Sequence, residues 1–154
     1  MKVVIMRHGD AVLGADDDAS RALTSLGREQ SRAMAIWLHQ QMPHVDRVLV
    51  SPYLRAQQTW QSISELFGDV PREDLDELVP HGHASQVCDY LRALEGDVNN
   101  VLIISHLPLV GYLVADLCPP QTPPMFVTSA MVGVELMDGN GKVVWQQAPH
   151  LLKK

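Results

Sequence analysis

Short apolar runs alternate along the chain with longer stretches in which apolar residues recur every three or four positions, the pattern of strands interleaved with amphipathic helices. Val3-Val4-Ile5-Met6 opens the series as a buried strand, with Arg7, His8 and Gly9 at its end. Thr24 is placed to cap a helix reaching about Gln41, whose inward stripe is Leu26, Ala33, Met34, Trp37 and Leu38. Residues 46–50 read as a second buried strand. Ser51-Pro52 follows at once and predicts a helix starting at the strand end, with Ser51 as N-cap and Ala56, Trp60, Ile63 and Phe67 on its buried face. After a turn at 68–72, residues 75–79 are expected to form a short strand, and Val87, Tyr90, Leu91 and Leu94 mark a helix over 84–94. Residues 100–104 repeat the opening pattern as a strand leading into Ser105-His106, and Leu107-Pro108 starts a helix with Val110, Leu113, Val114 and Leu117 on its apolar face. Beyond a proline-rich connection at 118–124, residues 130–137 and 142–147 read as a hairpin turning through Asp138-Gly139-Asn140-Gly141.

Strands separated by helices are joined by crossovers and run parallel. The expected fold is therefore α/β: a single domain over residues 1–154, three layers α/β/α, with a mostly parallel central sheet and an antiparallel C-terminal hairpin or edge. Parallel strands end on one edge of the sheet, where open α/β folds bind their ligands. Arg7 with His8, Arg55 and His106 would all stand at that edge.

Composition narrows the function classes. An apolar content of 46% and a charged content of 19% are those of a globular protein, and 154 residues leave little room for a second domain. No apolar run is long enough to span a membrane, and the opening strand has no small-residue cleavage site, so a cytoplasmic protein is expected. Cys88 and Cys118 fit buried thiols. A net charge of −6 argues against nucleic acid while leaving room for one small positive pocket. His81 and His83 lie in a polar loop and are expected to face solvent; the histidines and cysteines form no zinc pattern, and no metal is expected. The run Asp16-Asp17-Asp18 reads as a solvated turn, and Lys153-Lys154 as a frayed end.

The strand-end residues suggest a chemistry. A guanidinium fork suits phosphate, and a neutral imidazole is a competent nucleophile or base. Gly9 lets the backbone approach a ligand or turn sharply. Arg55 falls in the first turn of a helix, where backbone amides already attract anions; an anionic ligand would compensate both positive terms. Arg21 either faces the same rim or stands free at the surface. Two histidines and two arginines without a metal point to phosphoryl transfer through a covalent phosphohistidine, with the arginines on the phosphoryl oxygens and lowering the nucleophile's pKa. The second histidine, when protonated, would donate to a phosphoryl oxygen.

At these residues the chain resembles the histidine phosphatase superfamily, formerly called phosphoglycerate mutase-like. The matching pieces are Met6-Arg7-His8-Gly9, Leu23-Thr24-Ser25-Leu26-Gly27 with Gln30, Ser51-Pro52-Tyr53-Leu54-Arg55-Ala56-Gln57-Gln58-Thr59, and Ile104-Ser105-His106. They occur in order over nearly the whole chain and are most similar to its short bacterial phosphohistidine phosphatases. The resemblance implies that His8 is the phosphorylated nucleophile, that Arg7 and Arg55 bind phosphate, and that His106 is the second pocket histidine. Arg21, Gly9 and Ser51 are expected beside the substrate. Larger members usually carry glycine after the second histidine, where Leu107 stands here, and a carboxylate proton donor from a later segment, for which Glu77 is the positional candidate. The implied activity is removal of phosphate from phosphohistidine on a phosphotransfer protein by a monomer needing no cofactor. The loops are short, and an open site would admit a side chain of another folded protein. The competing readings are a small-molecule phosphomonoesterase or mutase, and a non-catalytic phosphohistidine-binding module.

Overall fold

The computed structural model describes residues 1–153; of the expected frayed end, Lys154 lies outside them. Six strands form one sheet: β1 (Lys2–Arg7), β2 (Arg47–Val50), β3 (Arg72–Asp74), β4 (Asn100–Ser105), β5 (Met131–Met137) and β6 (Asn140–Gln147), in the order β3-β2-β4-β1-β5-β6. The pairs β1–β4, β2–β4 and β2–β3 are parallel, and β1–β5 and β5–β6 are antiparallel. Four helices connect them: α1 (Ser25–Gln41), α2 (Leu54–Ile63), α3 (Ala84–Leu94) and α4 (Leu109–Leu117).

Strand alternation sorts the core into two halves. Val4, Met6, Val48, Val50, Leu102 and Ile104 point to one face, where Met34, Ala35 and Leu38 of α1 and Ala56, Trp60 and Ile63 of α2 cover them. Val3, Ile5, Leu49, Val101 and Ile103 point to the other, under Val87, Cys88 and Leu91 of α3 and the apolar side of α4. The result is the expected three-layer α/β/α arrangement. Cys88 and Cys118 are buried free thiols, and burial pushes the Cys88 thiol up to about 12.

Several elements differ from expectation for identifiable reasons. The third strand is Arg72–Asp74 rather than 75–79: the edge of the sheet is polar, while Leu78 and Leu75 turn into the α3–α4 core from a 3-10 turn at Asp76–Leu78. Ser51 does not cap α2. Its hydroxyl accepts the Tyr53 amide at 3.2 Å, and the helix begins at Leu54 behind Tyr53. Thr24 does cap α1, but Leu26 is exposed, because the first turn of that helix packs through Gly27 and Ser31. A Cβ on Gly27 would lie 2.3 Å from the Asp10 carbonyl, so only glycine lets α1 close on the segment that follows β1. The hairpin turns on two residues, Asp138 and Gly139, with φ of 51° and 79°.

The strand order positions the site. β1 and β4 are neighbours with Arg7 opposite Ser105, so His8 and His106 leave the sheet side by side. The chain leaves β1 towards the α1–α2 layer and leaves β4 towards the α3–α4 layer. The crevice between them is the topological switch point at which such folds hold ligands. β2 lies on the other side of β4, with Val50 opposite Ile104, and delivers Ser51 and then α2 to the same edge.

Candidate active site

His8 is buried, and its two ring nitrogens have different partners. Nδ1 lies 2.7 Å from the Gly9 carbonyl oxygen. A carbonyl can only accept, so Nδ1 carries the proton and the lone pair of the neutral ring is on Nε2. That nitrogen accepts the Nε–H of Arg55 at 3.2 Å. Burial first, and then the charges of Arg55, Arg7 and Arg21, push the His8 pKa from 6.5 down to about 4, against the pull of the Gly9 carbonyl.

The second imidazole stands against the first, with ring centroids 5.0 Å apart. His106 Nε2 is 2.7 Å from Ser51 Oγ, and Tyr53 meets the ring edge-on at 5.0 Å. Burial and the neighbouring His8 and Arg55 push its pKa from 6.5 down to about 2, which favours the neutral ring. Its Nδ1 is buried without a hydrogen-bond partner.

Three guanidiniums surround this pair. Arg7 donates from Nη1 to the Phe126 carbonyl at 2.9 Å, and its Nε is buried without a partner. Arg55 is buried under the Asp18 segment, donating to the Asp18 carbonyl at 2.6 Å and to its carboxylate at 3.1 Å. Arg21 donates to the Val12 carbonyl at 2.7 Å and to the other Asp18 oxygen at 3.1 Å, so the Asp18 carboxylate links it to Arg55. Asp18 alone among the described residues pairs ionically with any of the three. Three positive charges against one negative leave a surplus suited to a phosphoryl dianion inside a chain of net charge −6.

Other expectations resolve differently. Gly9 is glycine for packing: an added Cβ would meet the Gly27 carbonyl and Ser31 Oγ at 2.8 Å. Its N–H goes to Thr59 Oγ1 at 3.0 Å and its carbonyl to His8, so both of its backbone groups are engaged within the protein. Glu77 accepts from the His83 amide at 2.9 Å and from its ring at 3.0 Å. No hydrogen bond or ion pair among the described residues joins Glu77 to His8, Arg7, Arg55 or His106. Three contributors escaped the sequence reading. Asp18 is a counter-ion rather than part of an idle turn. Thr59 accepts from Gly9 while donating to the Arg55 carbonyl at 2.7 Å, and the Phe126 carbonyl anchors Arg7. The spacing of Asp18 and Arg21, one helical turn apart, was the available hint for the first; backbone carbonyls leave no sequence signal.

The mixed α/β sheet thus gathers two imidazoles and three guanidiniums at its parallel edge. The chain belongs to the histidine phosphatase superfamily: the family model for branch 1 matches residues 3–79. It is 52% identical to phosphohistidine phosphatase SixA of Escherichia coli (strain K12), over 99% of this chain and 97% of that protein. It is 40% identical to the SixA homolog of Haemophilus influenzae, over 99% and 98%. The structure of the protein histidine phosphatase SixA complexed with tungstate superposes with a TM-score of 0.96, covering 99% of this chain and all of that one. No helix of the described residues is long and apolar enough to cross a membrane.

Two predictions follow from the electrostatics. The unfolded chain protonates His8 near pH 6.5 and the folded chain only near pH 4, so the folded state binds fewer protons between these values. Stability is complete above that window and is lost as pH falls through it, by about 2 to 3 kcal/mol at pH 4.5. Urea denaturation should show wild type losing this much more than His8→Asn between pH 7 and 4.5; equal losses would contradict the depressed pKa. Asp18→Asn keeps an acceptor for the arginines and removes the negative charge beside the anion seat. Calorimetric tungstate affinity should rise about fivefold, roughly 1 kcal/mol; weaker binding would mean that the carboxylate chiefly positions Arg55.

Proposed function

We propose that this chain is a protein phosphohistidine phosphatase that dephosphorylates a phosphotransfer protein through a phosphorylated His8. The observation that carries this reading is the pair of buried imidazoles, ring centroids 5.0 Å apart, with the His8 Nε2 lone pair held against the Arg55 guanidinium. A phosphoryl group has an electrophilic phosphorus for that lone pair and acceptor oxygens for the guanidiniums, and Arg7 Nε and His106 Nδ1 are buried N–H groups that no protein atom satisfies. The likeness to the two SixA proteins supports phosphohistidine as the substrate class.

In the proposed reaction Arg55 turns its Nε–H from His8 Nε2 to a phosphoryl oxygen and frees the lone pair. His8 Nε2 attacks phosphorus in line as the substrate's N–P bond breaks, and the substrate imidazole leaves with the proton it already carries. Arg7 and Arg55 hold the equatorial oxygens, where positioning and charge stabilisation supply most of the rate. The Gly9 carbonyl keeps Nδ1–H in place and stabilises the charge that develops on the ring. Neutral His106 contributes a hydrogen bond from Nδ1 when the Ser51 hydroxyl donates to its Nε2, which gives Ser51 an orienting role. Water then displaces the phosphoryl group, the His8–phosphorus bond breaks, and orthophosphate leaves with one proton released to solvent. Arg21 acts with Asp18 on the outer side of Arg55. The whole chain, residues 1–154, is proposed to act as one domain, a cytoplasmic monomer without metal or cofactor.

A protonated imidazole leaves without help, whereas an alkoxide needs a proton from a general acid. Hydrolysis of phosphohistidine on a protein should therefore exceed that of an unactivated alkyl phosphate by orders of magnitude, with the gap narrowing for aryl phosphates and chelator changing neither rate. Glu77→Gln should leave phosphohistidine hydrolysis within about twofold. Efficient alkyl phosphate turnover that Glu77→Gln abolishes would establish a general acid and favour a small-molecule phosphatase.

A further inference from the structure

Each arginine of the anion seat, or the carbonyl that holds it, adjoins in sequence a large apolar residue that reaches solvent. The Phe126 carbonyl that anchors Arg7 lies between Met125, 85% exposed, and Val127, 48% exposed. The Val12 carbonyl that holds Arg21 belongs to a residue itself 39% exposed and is followed by Leu13, 91% exposed. Arg55 follows Leu54, 37% exposed in the first turn of α2. The other large apolar side chains that reach solvent lie on α1, α4, the hairpin and the C-terminal turn, and none of them adjoins a contact to Arg7, Arg21 or Arg55. Nothing in the packing of the chain requires Leu13 or Met125 to be apolar. Exposed apolar side chains set beside the contacts of a charged pocket suit an interface, and methionine is enriched in such contacts.

A phosphohistidine places its phosphorus on a ring only roughly 6 Å from its own backbone. Any protein whose phosphohistidine reaches His8 must therefore lay its surface across the rim, where these exposed residues offer it apolar contacts. Asp16 and Asp17 are exposed on the same loop as Leu13 and disfavour acidic neighbours on the visitor. Resting on the phosphatase reading given above, we infer that Val12, Leu13, Leu54, Met125 and Val127 form a docking collar for the phosphorylated protein itself. That partner presents its phosphohistidine from an apolar patch flanked by basic rather than acidic side chains. The pocket recognises the phosphoryl group, and the collar distinguishes a protein carrying it from a small phosphorylated molecule. Affinity gained at the collar is affinity for the protein, so its loss appears in KM rather than in the chemical step.

The test compares wild type with the double variant Leu13→Asn, Met125→Asn, which removes the apolar side chains without adding charge, on two substrates. One is a histidine-containing phosphotransfer domain phosphorylated on histidine with phosphoramidate, and the other is phosphoramidate alone. Phosphoramidate uses the seat without touching the collar, so its turnover also reports that the variant is folded. The expected result is a loss of tenfold or more in kcat/KM on the domain, carried by KM, with phosphoramidate turnover within twofold of wild type. Unchanged turnover of the domain, or equal losses on both substrates, overturns the collar. Wild-type turnover of phosphoramidate with none of the phosphorylated domain overturns the protein-phosphatase reading instead, and the collar with it.

Discussion

An imidazole can attack phosphorus only from a nitrogen that holds a lone pair, and that nitrogen must face concentrated positive charge without being protonated by it. The contact of His8 Nδ1 with the Gly9 carbonyl meets this constraint. It fixes the tautomer, aims Nε2 at Arg55, and leaves burial and the arginines to keep the second proton off. The contact holds only if the Gly9 peptide is immobile. Its N–H is tied to Thr59, which is tied in turn to the backbone of Arg55, and its Cα is pressed against the first turn of α1. Proposed nucleophile and proposed phosphate ligand are thus fixed to each other through three elements of the fold.

The sheet supplies the rest of the geometry. Placing β4 beside β1 in register sets the two histidines together, and placing β2 beyond β4 brings Ser51 under His106 and α2 across the opening. The two layers of helices leave these strands in opposite directions, which keeps the crevice open at its mouth. The positive charge gathered there is costly without an anion. Asp18 offsets part of it through both Arg21 and Arg55, while Arg7 has no carboxylate partner among the described residues.

Much of this was legible in the residues. Apolar runs ending in Arg7-His8 and Ser105-His106 mark strands with histidines at their carboxyl ends, and the repetition of that pattern, rather than either histidine alone, pointed to one shared site. Arg55 in the first turn of a helix was conspicuous because its charge opposes the local dipole. What escaped has a physical cause in each case. An edge strand of polar residues, Arg72–Asp74, has no hydrophobic signal, whereas the apolar residues after it belong to a packed turn. Ser51-Pro52 has the composition of a helix start, but the hydroxyl is drawn to His106, a partner distant in sequence. Asp18 looked like one of three equivalent aspartates until the fold brought Arg55 across it. Glu77 matches a proton donor only in its position along the chain, and its hydrogen bonds go to His83.

The central claim is that phosphate passes through His8 Nε2. Rapid quenching of the enzyme during turnover of a histidine-phosphorylated protein, followed by alkaline digestion-compatible mass spectrometry, measures this directly. The account predicts acid-labile phosphate on His8 in wild type, and neither that adduct nor turnover in a folded His8→Ala variant. Phosphate trapped on His106 instead, or turnover preserved in His8→Ala, would contradict it.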